Sequence, residues 1–159
     1  MTSLSPATTW RLRVQGFAAD DAWLAEVAPW LRLAPALCAT VTAIGTVTAS
    51  PLILVALATT AILGAILPFH PFDLLYNYGI RFLVGKRALP PNGAPRRFAC
   101  GMASLWLIAT ALLFAHGEAP AGYLLGTLFV AVALLVATTD ICIPSIMFNF
   151  VGRLAGAKS

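Results

Sequence analysis

Between Leu33 and Leu67 the chain carries no charged residue, and its polar positions are a few threonines, one serine and one cysteine. A run this long exceeds one membrane span of about 20 residues, so it predicts two. The break falls at Thr48-Ala49-Ser50-Pro51, because proline is tolerated in the first turn of a helix, where its missing N–H has no partner to lose. This places spans at 33–48 and 52–67. Two further uncharged runs, 98–115 and 121–139, are separated only by the short polar turn at 116–120. The pattern predicts an all-α polytopic membrane protein with four transmembrane helices arranged as two hairpins.

The polar stretches predict the remaining elements. Residues 1–19, with Ser3, Ser5, Pro6, Thr8 and Thr9 ahead of Trp10, Arg11 and Arg13, read as a mobile arm near the headgroups. Asp20 or Asp21 is suited to cap a helix, since a carboxylate accepts from first-turn N–H groups and complements the helix dipole. In that helix Trp23, Val27, Trp30 and Leu31 form one apolar face, which predicts an amphipathic helix lying in the membrane interface or packing on protein. The central loop, 68–97, opens with Pro71 in the first turn of a short interfacial helix with Phe72, Leu75 and Tyr76 on one face, ending at Gly79. A Pro-Pro-Asn-Gly turn follows at 90–93. The chain thus divides into an arm with its interfacial helix, 1–31, and a four-helix membrane domain, 32–159.

Composition supports this reading. Charged residues are 10% of the chain and hydrophobic ones 60%, against roughly a quarter charged in soluble domains. All ten Lys and Arg, namely Arg11, Arg13, Arg32, Arg81, Lys86, Arg87, Arg96, Arg97, Arg153 and Lys158, fall on one side of a four-span arrangement. The positive-inside rule then puts both termini and the central loop in the cytoplasm. The net charge of +4 is accounted for by topology and anionic headgroups rather than by nucleic acid. Residues 1–30 are too mixed for a secretory signal, so no cleaved leader is expected.

Candidate chemistry is sparse. No ionisable group sits at mid-span, which argues against an ion-coupled pump. Asp140, at the cytoplasmic end of the fourth span, is suited to pair with Arg81, Arg96 or Arg97 and pin the loop. Cys38, Cys100 and Cys142 are an odd number without metal-site spacing, so neither a disulfide framework nor a structural metal is expected. Cys142, with Asp140 and Thr139 beside it, is the candidate reactive thiol. His70 and His116 fall at opposite ends of the spans and cannot share a metal. His70 alone is a candidate axial ligand for haem or a pigment, though no cofactor is predicted. Ala39/Ala43, Thr60/Gly64, Ala61/Ala65 and the GxxxG pair Gly122/Gly126 have the spacing of close helix packing.

The segments at 70–79, 95–101 and 140–145 (His70-Pro-Phe-Asp-Leu-Leu-Tyr-Asn-Tyr-Gly79, Pro95-Arg-Arg-Phe-Ala-Cys-Gly101, Asp140-Ile-Cys-Ile-Pro-Ser145) resemble the signature regions of the DUF4395 family of bacterial membrane proteins. The resemblance covers about Pro51 to Arg153. It supports the topology and implies no established activity. Many members look as though they end in a Cys-x-x-Cys; Cys142 matches its first cysteine and Ser145 replaces the second. The leading expectation is a non-enzymatic accessory or assembly subunit of a larger membrane complex, respiratory or photosynthetic in type, with Phe72, Tyr76, Arg81, Arg96 and Arg97 positioning the loop and its partner subunits. The alternatives are a membrane thiol or sulfur-handling protein using Cys142 and a pigment- or haem-carrying subunit.

Overall fold

The computed structural model describes residues 4–156, and every regular element in them is helical. Ser3 of the arm and Lys158 of the charge pattern lie outside the described residues. The elements are α1 (Pro6–Val14), α2 (Asp21–Leu31), α3 (Leu33–Val47), α4 (Pro51–Ile66), α5 (Pro71–Leu75), a π-helical turn (Tyr76–Ile80), α6 (Arg81–Val84), α7 (Ala94–Ala115), α8 (Ala119–Thr139) and α9 (Ile143–Gly156).

Three helical stretches are long and apolar enough to cross a membrane: Asp21–Val47, Ala94–Ala115 and Ala119–Thr139. A fourth appears when Pro51–Ile66 and Pro71–Val84, bent by 83° at their junction, count together. Local sequence sets the starts. Ser50 Oγ accepts from the N–H of Ile53, and Asp20 caps α2 by accepting from the N–H of Trp23 at 2.7 Å. Within the long helices, hydroxyls of Thr42, Thr59, Thr110 and Thr139 donate to carbonyls one turn back and so are satisfied inside their own helix.

The long helices pair α4 with α7 and α3 with α8, and α7 also packs on α8 and α3 on α4. Leu54, Leu57, Leu107, Ala111 and Phe129 lie in the core they enclose. Both glycines of the GxxxG pair face into this bundle. A Cβ on Gly122 would lie 2.7 Å from the Phe114 ring, and one on Gly126 would collide with the Thr46 side chain.

Several elements differ from the sequence expectation. The arm is helical: Ser5 caps α1, and Leu12, Gln15 and Phe17 at its end are buried. α2 is continuous with the first span but for Arg32, which has near-helical torsions, and its Leu24, Val27, Ala28 and Leu31 pack in a protein core rather than facing outward. The helical path in the loop passes Gly79 through the π turn and stops at Gly85, whose φ of +63° is the left-handed stop. Finally, α9 was not expected. Its Ser145 and Asn149 side, with Cys142 just before it, points inward, while Ile143, Met147, Phe150, Val151 and Leu154 are exposed, an inverted pattern for a helix packed on protein.

Leu12, Phe17, Leu24, Val27, Leu31, Tyr76 and Leu89 form a second core, distinct from that of the bundle. Residues from the N-terminal helices and the central loop therefore make one cap over the end of the bundle where α4 stops and α7 starts.

Candidate functional site

The cap is held by buried polar contacts. At the bend after α4, His70 and Asp73 cap α5 reciprocally: Phe72 N–H donates to His70 Nδ1 at 3.2 Å, and Asp73 Oδ2 accepts from the N–H of His70 at 3.1 Å. Desolvation lowers the His70 pKa to about 4, with Arg96 contributing and Asp73 opposing, so the imidazole is neutral at pH 7. Asp73 Oδ2 also accepts from Asn92, while its Oδ1 is buried without a partner. Asn77 Oδ1 takes the Leu89 N–H at 2.7 Å, and the Trp23 indole donates to Ala88 O at 2.9 Å, so the loop is stitched to α2.

Arg96, on the first turn of α7, is 7% exposed. It donates to Gln15 Oε1 at 2.9 Å and to Leu31 O at 3.3 Å, and its guanidinium lies 5.0 Å from the Phe17 ring centroid. Gln15 Nε2 in turn donates to Asp140 O at 2.8 Å. The arm meets the loop through glycines: Gly16 has a φ of +86°, and a Cβ on Gly93 would fall onto the Gly16 backbone.

Asp140, which ends α8 at a φ of +59°, pairs with Arg32 instead of with Arg81, Arg96 or Arg97. Arg32 Nε donates to Oδ1 at 2.9 Å, and Nη2 meets Oδ2. The reason is packing: α8 runs beside α3, so its end arrives at the residue preceding α3. Arg97 instead donates to Ala65 O at 2.9 Å and Ile66 O at 2.7 Å, the free carbonyls at the end of α4. Arg81 stacks over Phe82 with its Nε buried and unpartnered, and Tyr76, fully buried, donates to Arg87 O at 3.3 Å. Phe72 is half-buried against the bundle core. Tyr76, Arg96 and Arg97 thus each bond to backbone or side chains of the same chain.

The three cysteines lie on α3, on α7 and just before α9. Cys100 Sγ and the His70 ring flank the same point beside Gly64. Cys38 and Cys100 lie within electrostatic range of each other, as do Cys100 and Cys142. Cys142 is buried, with Ser145 Oγ 3.1 Å from its Sγ and 3.2 Å from Pro95 O. Among the described residues no three His, Cys, Asp or Glu are placed to hold a metal ion. His116 is exposed at the other end of α7.

A family model described as a domain of unknown function, DUF4395, matches residues 28–153. The chain belongs to the DUF4395 family. The match takes in α3 to α8, the bend and its His70 cap, the three cysteines and the Arg32–Asp140 pair. It leaves α1, with Gln15 and Gly16, outside. Comparison with curated proteins and with solved structures finds no match.

Sequence reasoning missed Gln15, Gly16, Arg32, Asn77, Asn92 and Asn149. Asn92 and Gly93 were visible as a turn signal, but their long-range contacts were not. Asn149, which donates to Val14 O at 2.8 Å, had a local clue in the helical spacing Cys142, Ser145, Asn149.

Proposed function

We propose that this DUF4395 protein is a non-enzymatic accessory subunit of a bacterial inner-membrane complex, crossing the bilayer four times with its capped end and both termini in the cytoplasm. One observation carries the reading: Tyr78, Phe82 and Leu83, 78%, 67% and 88% exposed, stand on a cap that has its own core, with Arg81 over the Phe82 ring and Lys86 and Arg87 close by in sequence, Arg87 paired with Glu26. Large apolar side chains on a folded polar cap suit an interface of aromatic anchors with a basic rim. The one-sided distribution of Lys and Arg supports the orientation. In this reading Tyr76, Arg96 and Arg97 hold the cap from inside, and Phe82 and Leu83 touch the partner subunit.

The test is a native gel of the full chain extracted gently from its own membranes. Wild-type protein is expected in a large stoichiometric complex, and Leu83→Asp releases it while changing its own stability by less than about 0.5 kcal/mol, as for exposed sites. A solitary wild-type protein, or an unaltered complex in the variant, defeats the reading.

The buried Cys142, with the Ser145 hydroxyl 3.1 Å from its sulfur, supports a second reading, a membrane thiol or sulfur-handling protein using Cys142. Buried thiols more often serve as small hydrophobes. Mass spectrometry of protein alkylated during extraction separates the cases. Added sulfur or a mixed disulfide on Cys142, lost in Cys142→Ser with assembly intact, supports thiol chemistry; three unmodified thiols end it.

A further inference from the structure

A groove of about 620 Å³ opens on the outer side of the bundle between the end of α4 and the start of α7. Arg97 stands at its mouth, Ala65 and Gly101 form its floor, and Phe98, Met102 and Leu105 are its exposed apolar walls. From Arg97 to Leu105 it descends two turns of α7, about 12 Å. We propose that this groove holds one anionic phospholipid of the surrounding bilayer, its phosphate on Arg97 and an acyl chain along Gly101, Met102 and Leu105. The inference rests on α4 and α7 lying in the bilayer and does not need the accessory-subunit reading.

Three observations favour a lipid as occupant. First, Arg97 spends only Nε and Nη2 on the α4 carbonyls, and its charge meets no carboxylate among the described residues. A guanidinium with unspent N–H groups, fixed in place by two carbonyls, suits a phosphate. Second, Arg97 sits where the apolar run of α4 ends, the depth of the headgroups, while the groove below it is mostly apolar, its one hydroxyl, Ser104, being spent on Gly101 O. Third, Gly101 leaves this side of α7 open: a Cβ there would meet only the Ala65 methyl, at 3.9 Å. Phe98 pairs with Phe148 of α9 at 5.5 Å, which joins the groove wall to the outward apolar side of that helix.

The test uses the full chain purified in a nonionic detergent and native mass spectrometry. The probes are phosphatidylglycerol and phosphatidylcholine of the same acyl chains. Wild-type protein is expected to keep one phosphatidylglycerol with at least about tenfold preference over phosphatidylcholine. Gly101→Leu, which fills the groove one turn below Arg97, is expected to lower that retention at least about tenfold. Equal retention of the two lipids by wild-type protein overturns the proposal without need of any variant. So does unchanged retention in Gly101→Leu, or a dimer mass that this variant abolishes. Protein that leaves the membrane fraction without detergent would refute the bilayer placement itself.

Discussion

Gly93→Val is expected to detach the cap from the bundle and to destabilise the protein by about 3 kcal/mol, the upper part of the usual overpacking range. A Cβ at Gly93 would strike the O, Cα and C atoms of Gly16, which are backbone and cannot rotate aside. Neither segment has room to retreat. The Asn92 N–H is tied to Pro68 O at 2.6 Å, and Gly16 is flanked by Gln15 and Phe17, both buried. Chemical unfolding in detergent micelles, followed by tryptophan fluorescence, measures the loss, because Trp23 and Trp30 pack against the cap core. Limited proteolysis should cut the variant between residues 14 and 20. Gly79→Ala is the control: a Cβ there meets nothing within 4 Å, and the effect should be near zero. If Gly93→Val unfolds like wild-type protein and resists the protease equally, the arm is not docked as described.

The spans were legible because a bilayer imposes a simple demand, a long uncharged run, and α7 and α8 satisfy it within their own sequence. The starts of α2, α4 and α5 were legible for the same reason of locality: Asp20, Pro51 and Pro71 act on the turn they begin. α1 was not, because it has almost no amphipathic pattern; its burial comes from Leu12, Phe17 and the polar Gln15, whose partners Arg96 and Asp140 are far along the chain. Gly79 and Gly85 are indistinguishable as letters. Only the π turn, which carries the helix one step past Gly79, decides that Gly85 takes the left-handed torsion. α9 shows helical periodicity in Ile143, Met147, Phe150 and Leu154. Which side would face the protein was set by hydrogen bonds to Pro95 and Val14 that no local pattern contains. Cys100 is a similar case: its place beside His70 and Gly64 exists only once α4 and α7 pair and the chain bends at His70.

Removing Arg32 should cost more than removing the charge of Asp140. The two ends of the pair differ in burial: the Arg32 side chain is 39% exposed and that of Asp140 only 4%. Arg32→Gln therefore strands a carboxylate in a nearly dry site, and a loss of about 4 kcal/mol is expected, as when one partner of a buried pair is removed. Asp140→Asn leaves an arginine that can turn toward water, and asparagine tolerates the φ of +59° that the position requires, so about 2 kcal/mol is expected. Asp140→Ala should fall below the asparagine variant by a further 1 kcal/mol or so, the cost of a left-handed torsion without a helpful side chain. The double variant Arg32→Gln/Asp140→Asn should then be more stable than Arg32→Gln alone, because the second change removes the stranded charge. Unfolding free energies of the four proteins in one detergent give the cycle. Equal losses for the two single variants, adding without coupling, would mean that water reaches Asp140 and that this end of α8 is not sealed by α3 and the arm.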